Sequence, residues 1–102
     1  MTGERYHNPQ KKFTSYFLTF PRGGVRLEIM NGPEIIDRDS TVKLRGYSHI
    51  AISLGSKERV DETTELMRRA GIAVVGAPRT IGDSYYESVE ADPDGNLVVL
   101  SV

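Results

Sequence analysis

The chain has 102 residues, 38% of them apolar and 26% charged, and its 13 basic and 14 acidic side chains leave a net charge of −1. That balance fits one small domain and supplies no cluster of cations for nucleic acid or an anionic membrane. With no cysteine there is no disulfide, thiolate metal site or thiol nucleophile, so a metal would have to use His, Asp or Glu. No apolar run approaches the ~20 residues that cross a bilayer, and Met1 to Lys12 is too polar for a signal peptide, which places the chain in the cytoplasm.

Phe13 to Phe20 is rich in aromatic and β-branched residues and stops at Pro21-Arg22-Gly23-Gly24, so it reads as a strand entering a hairpin. Val25 to Met30 alternates, with Val25, Leu27 and Ile29 on one face and Arg26, Glu28 and Met30 on the other, until Asn31-Gly32-Pro33 breaks it. Glu34 to Arg45 has no period and reads as a surface connection between modules. Tyr47 to Leu54 alternates again, opposing Ser48, Ile50, Ile52 and Leu54 to Tyr47, His49, Ala51 and Ser53. Ser56 suits the N-cap of a helix running to about Ala70, with Val60, Thr64, Met67 and Ala70 or Gly71 on its inner face and Glu65 to Arg69 paired outside. Ile72 to Val75 reads as a short strand stopped by Gly76 and Pro78. Tyr85 to Ala91 and Asn96 to Val102 follow as strands around the turn Asp92-Pro93-Asp94-Gly95.

Phe13 to Met30 aligns with Tyr85 to Val102 as strand, Pro-x-Gly turn, strand, with one gap near the turn. The second half then reads β-α-β-β-β. The first copy keeps its hairpin and a remnant strand at Glu4 to Asn8, without the opening strand and helix. The expected organisation is a single domain: a shortened first module over 1–33, a connection over 34–45 and a complete module over 46–102.

Three stretches, Arg26 to Met30 (RLEIM), Gly46 to Glu62 (GYSHIAISLGSKERVDE) and Gly82 to Leu100 (GDSYYESVEADPDGNLVVL), together resemble the glyoxalase/bleomycin-resistance/extradiol-dioxygenase superfamily, the vicinal oxygen chelate proteins. The flavour is similar to bacterial lactoylglutathione lyases. The resemblance implies an α+β fold of paired β-α-β-β-β modules whose mixed sheet forms a cup, with metal ligands on the first and last strand of each module. It puts Glu28 at the last strand of the first module and His49 at the first strand of the second. It also implies a divalent ion, Zn, Ni, Mn or Fe, acting as a Lewis acid on adjacent oxygens of a small substrate. The family's final carboxylate is Val99 here, which can neither ligate nor move a proton, and the first-module histidine is not encoded. His7, beside a turn, is a remote substitute.

Without the resemblance, Glu28 reads as a solvent-facing or Arg-paired strand residue and His49 as a hydrogen-bonded sheet histidine. Tyr85, Tyr86 and Glu87 read as packing, and the Asp92 segment as a turn. No phosphate loop or Ser-His-acid group is present, so no catalytic residue is assigned. Two functions follow as expectations. One is a metal-dependent lyase or isomerase on a small oxygen-rich substrate. The other is a metal-free binding or sequestering protein of the bleomycin-resistance type, its ligand held in a dimer groove between aromatic and apolar walls, a reading favoured by Val99, the lost histidine and Tyr16, Tyr85 and Tyr86. A third reading is a late-starting product of a longer enzyme. The uncovered row Val25, Leu27 and Ile29 and an open sheet edge predict a homodimer, including one with exchanged modules.

Overall fold

A computed structural model describes the chain except residues 1, 9–12, 21–23, 40 and 83 and the side chains of residues 2–4 and 8. The elements run β1 (Thr2–Asn8), β2 (Phe13–Thr19), β3 (Arg26–Asn31), β4 (His49–Ser53), α1 (Lys57–Arg69), β5 (Ala73–Ile81), β6 (Tyr85–Ala91) and β7 (Leu97–Ser101). They divide into two units, Met1–Arg38 and Asp39–Val102.

The first unit is an antiparallel sheet in the order β1-β2-β3. Its β1 is more than the remnant expected at Glu4 to Asn8, because it pairs with β2 along its whole length, from Thr2 opposite Thr19 to Asn8 opposite Phe13. The β2–β3 register sets Phe17 against Glu28 and Leu18 against Leu27. Directly opposed residues share a face. One face therefore carries Phe13, Ser15, Phe17, Arg26, Glu28 and Met30, and the other Tyr16, Leu18, Leu27 and Ile29. On the first face the Tyr6 and Phe13 rings meet at 5.8 Å and the Arg26 guanidinium lies 5.1 Å from the centre of the Phe17 ring. The expected Pro-Arg-Gly turn falls outside the described residues except Gly24, whose φ of 63° suits glycine.

The second unit is a β-α-β-β-β module whose sheet has the order β4-β7-β6-β5, with β4 parallel to β7 and the other pairs antiparallel. The helix starts where the sequence predicts. Ser56 caps it, its hydroxyl accepting from the Arg59 N–H at 3.2 Å, and Gly71 beyond Ala70 has φ 85°. Its inner face is narrower than expected: Val60 and Thr64 are buried and Met67 half-buried, whereas Ala70 and Gly71 are exposed. The expected Glu65–Arg69 pair is instead Glu65–Arg68, one residue closer on the same face.

A second correction concerns β5. It runs from Ala73 to Ile81, straight through Gly76 and Pro78, which the sequence reading took as stops. The strand lies at the sheet edge and its register against β6 shifts on either side of Gly76. An edge strand with bulges accommodates a proline that donates no ladder bond. At Gly76 the Arg79 guanidinium fills the space a side chain would take, with Nη1 2.6 Å from where a Cβ would stand.

The core of this unit lies between α1 and one face of the sheet. Val60 and Leu100 are buried there, together with the polar chain Thr64, Ser88 and Glu90. The Thr64 hydroxyl contacts both the Val60 carbonyl at 2.6 Å and Ser88 Oγ at 2.9 Å, and Ser88 donates to Glu90 Oε1 at 2.7 Å. The last turn is built by Asp92, whose carboxylate accepts from the N–H groups of Asp94 and Asn96 and from the Asn96 amide.

Candidate functional site

Each unit carries one of the two predicted ligands. In the first, Glu28 is exposed near the middle of β3, on the face away from Leu27 and Ile29, as the alternation predicts. Its neighbours along the strand, Arg26 and Met30, share that face. Near the Met30 end a pocket of about 460 Å³ opens, lined by Phe13, Met30, Asn31, Gly32, Pro33, Glu34 and Ile35. The Ile35 N–H donates to the Gly32 carbonyl at 3.2 Å, which folds the chain back and sets Ile35 into the pocket wall. Sequence reasoning took Asn31-Gly32-Pro33 only as a strand breaker. The missed signal is the apolar Ile35 placed directly after it, able to return to Met30.

In the second unit His49 opens β4, exposed, with its Nδ1 2.9 Å from Ser48 Oγ. That contact leaves Nε2 as the ring nitrogen free to meet a ligand. The sheet register puts His49 with Leu97 and Ala91, and Ala51 with Val99 and Val89, on the face opposite the helix. The repeat fixes what Val99 replaces. With Phe13 laid on Tyr85, Phe17 falls on Val89; the partner of Phe17 is Glu28 and the partner of Val89 is Val99. Val99 thus occupies in β7 the place that Glu28 holds in β3, and it is only 5% exposed.

The remaining candidates separate. His7 is in β1, its Nδ1 2.8 Å from Thr14 Oγ1, on the face of the first sheet opposite Glu28. Tyr16 also lies on that opposite face, 43% exposed. Tyr85 and Tyr86 point to opposite sides of their sheet. Tyr85 is exposed on the side of His49, while Tyr86 turns under α1, where its hydroxyl donates to Asp61 Oδ1 at 2.5 Å and its ring meets Lys57. The Asp61 carboxylate holds the Tyr86 phenol above its ordinary range, chiefly through this hydrogen bond, then through burial and the carboxylate's charge. Tyr16 and Tyr86 therefore do not lie on the faces that carry Glu28 and His49.

Among the described residues no three His, Asp or Glu side chains are grouped so as to hold a metal ion. The donor chemistry accounts for this on the sheet of the second unit: beside His49 stand Leu97, Ala51 and Val99, none of which ligates a divalent ion.

The sequence signature of the Glyoxalase/Bleomycin resistance protein/Dioxygenase superfamily matches residues 4–100. The chain belongs to this superfamily. No curated protein matches it significantly in sequence. Among solved structures it is similar to the glyoxalase family protein of Enterococcus faecalis, at 23% identity and a TM-score of 0.75, over 97% of this chain and 75% of that one. It is similar to the trypanothione-dependent glyoxalase I of Leishmania major, at 21% identity and a TM-score of 0.66, over 96% of this chain and 65% of that one. The fosfomycin resistance protein FosX of Listeria monocytogenes aligns at 23% identity and a TM-score of 0.64, over 98% of this chain and 71% of that one. At such identities the likeness establishes the fold, the α+β module arrangement expected of the superfamily, and leaves the chemistry to the site itself.

Proposed function

We propose that this superfamily member binds a small organic molecule in the manner of the bleomycin-resistance branch and does not complete a metal-dependent lyase with its own side chains. The observation that carries the reading is Val99. It stands on the face of His49, at the place Glu28 holds in the other unit, where a metal-dependent relative needs a carboxylate to bind the ion and move a proton. The pocket at the Met30 end of β3 supports binding. Phe13, Met30, Pro33 and Ile35 offer an apolar wall, and the Glu28 carboxylate, two residues from Met30 on the same face, offers a polar contact to a ligand that spans both.

The second reading is a divalent-metal lyase or isomerase with Glu28 and His49 as ligands, favoured by the free Nε2 of His49 and the exposed Glu28 carboxylate. Zn, Ni, Mn or Fe held there would polarise adjacent oxygens of the substrate. The two readings separate in one experiment. Protein dialysed against a chelator is titrated with fosfomycin, bleomycin and a glutathione adduct, with and without Zn²⁺, Ni²⁺ or Mn²⁺, while backbone amide shifts are followed. Metal-free binding that perturbs Phe13, Met30 and Ile35 and weakens in Met30→Ala supports the first reading. Binding or turnover that requires the metal and is lost in both Glu28→Gln and His49→Ala replaces it with the second.

A further inference from the structure

We infer that the Ser15 hydroxyl is the polar anchor of the pocket at Met30, donating its hydrogen bond to an uncharged acceptor, a ketone or amide oxygen, on the otherwise apolar part of a ligand that enters there. The inference rests on the ligand-binding reading and names the chemical class that reading leaves open. Ser15 is fully buried in β2, and among the described residues its Oγ has no hydrogen-bond partner. The buried hydroxyls of the second unit differ: Thr64 meets the Val60 carbonyl and Ser88, and Ser88 donates to Glu90. A buried hydroxyl without a partner destabilises a fold, and alanine would occupy a strand position between large side chains without that loss. Such a group calls for a partner from outside the fold.

The ladder places this hydroxyl at the pocket. Ser15 stands opposite Met30 on one side and Tyr6 on the other, and Phe13 precedes it by two residues on the same face. The Phe20 N–H donates to the Val25 carbonyl at 3.2 Å. Alternation along an antiparallel ladder then makes Ser15 and Met30 a non-hydrogen-bonded pair, the kind whose side chains approach most closely. Phe13 and Met30 are both walls of the pocket, so Ser15 lies on the sheet beside the two of them. Met30 is 52% exposed, and its unbranched side chain is the adaptable one among these neighbours. Turning it aside opens the hydroxyl to the pocket.

Charge selects the acceptor. The described charged side chains on this face and in the pocket wall are Arg26, Glu28 and Glu34. Arg26 is four residues along β3 from Met30, with its guanidinium over the Phe17 ring, while the two glutamates stand toward the pocket end. A carboxylate or phosphonate drawn down to Ser15 would lose its water, find no cation and meet like charge. A neutral carbonyl oxygen loses far less and takes the one donor offered.

Acetophenone, ethylbenzene and benzoate share a ring and a similar size, and offer Ser15 a neutral acceptor, nothing and an anion respectively. Each is titrated into metal-free wild type and Ser15→Ala while the backbone amide shifts of Phe13, Met30 and Ile35 are followed, and both proteins are unfolded in urea. Wild type should bind acetophenone about tenfold more tightly than either other probe, the worth of one buried hydrogen bond. Ser15→Ala should bring acetophenone down to the affinity of ethylbenzene and leave ethylbenzene unchanged. Its urea midpoint should equal or exceed that of the wild type, because no hydrogen bond within the fold is lost. A lower midpoint would mean that the hydroxyl is already bonded inside the fold. That result, acetophenone bound equally by both proteins, or benzoate preferred to acetophenone overturns the inference and leaves the ligand-binding reading standing. If none of the probes shifts these residues, the inference falls together with binding at this pocket.

Discussion

Ala51 and Val99 face one another across the parallel β4–β7 ladder, one pair along from His49 and Leu97 on the same side of the sheet. A carboxylate at position 99 would therefore stand beside the imidazole of His49. Val99→Glu is expected to lower stability by about 3 kcal/mol without metal, because position 99 is only 5% exposed and an unpaired carboxylate there loses its water. Zn²⁺ at about a hundred times its dissociation constant should return about 2.7 kcal/mol of that loss, by binding only the folded form. Urea melts with and without Zn²⁺ measure both. If the ion stabilises the variant no more than the wild type, Val99 does not occupy the ligand position.

The buried chain Thr64–Ser88–Glu90 makes a second prediction. Glu90 is 2% exposed, and among the described residues its Oε2 has no hydrogen-bond partner while Oε1 accepts from Ser88. Ser88→Ala removes that donor and should destabilise the second unit by about 1 to 3 kcal/mol. Glu90→Gln keeps an oxygen for Ser88 and removes the ionisable group buried at this position, so its urea midpoint should equal or exceed that of the wild type. A Glu90→Gln variant weaker than Ser88→Ala would show that the second carboxylate oxygen is satisfied in solution.

What the sequence disclosed, and what it concealed, follows the range of the interactions involved. The faces of Glu28 and His49 were legible because alternation in a strand is a property of adjacent residues, and the fold followed from RLEIM, HIA and DPDGN. The extent of β5 was not, since Gly76 and Pro78 stop a strand in isolation and only its place at the sheet edge lets it continue. Tyr85 and Tyr86 looked like one aromatic surface, yet adjacent strand residues point apart, and the helix that binds Tyr86 is distant in sequence. Ser88 and Glu90 ran against the rule that polar residues face out, because their partners, each other and Thr64, had to be assembled by the fold first. The pocket beside Met30 depends on a turn whose geometry no periodicity records.

The helix start gives a local and inexpensive check of the second unit. Ser56 satisfies the Arg59 N–H, one of the otherwise unpaired donors of the first turn. Ser56→Ala should cost about 1 kcal/mol and Ser56→Asp should recover most of it, the carboxylate also favouring the helix N-terminus. Thermal melts followed by far-ultraviolet dichroism would show this ordering, and an unchanged Ser56→Ala would mean that water replaces the cap without loss.

The Tyr86–Asp61 contact predicts a pH dependence with a definite sign. The phenol of Tyr86 titrates above the ordinary tyrosine range when folded, mainly because its proton is held by Asp61 Oδ1. A group whose folded pKa is raised adds stability that is fully present below its unfolded value, near 10 for tyrosine, and is lost as pH rises through the folded value. Asp61→Asn removes the charge and replaces the strongest acceptor, so Tyr86 should titrate lower, toward the ordinary range. The difference in absorbance titration at 295 nm between wild type and the variant isolates this one phenol among the five tyrosines. Wild-type stability should fall relative to the variant only at alkaline pH, with parallel curves through neutrality. Identical alkaline titrations would place the hydroxyl away from Asp61 in solution, and would release Tyr86 from the helix.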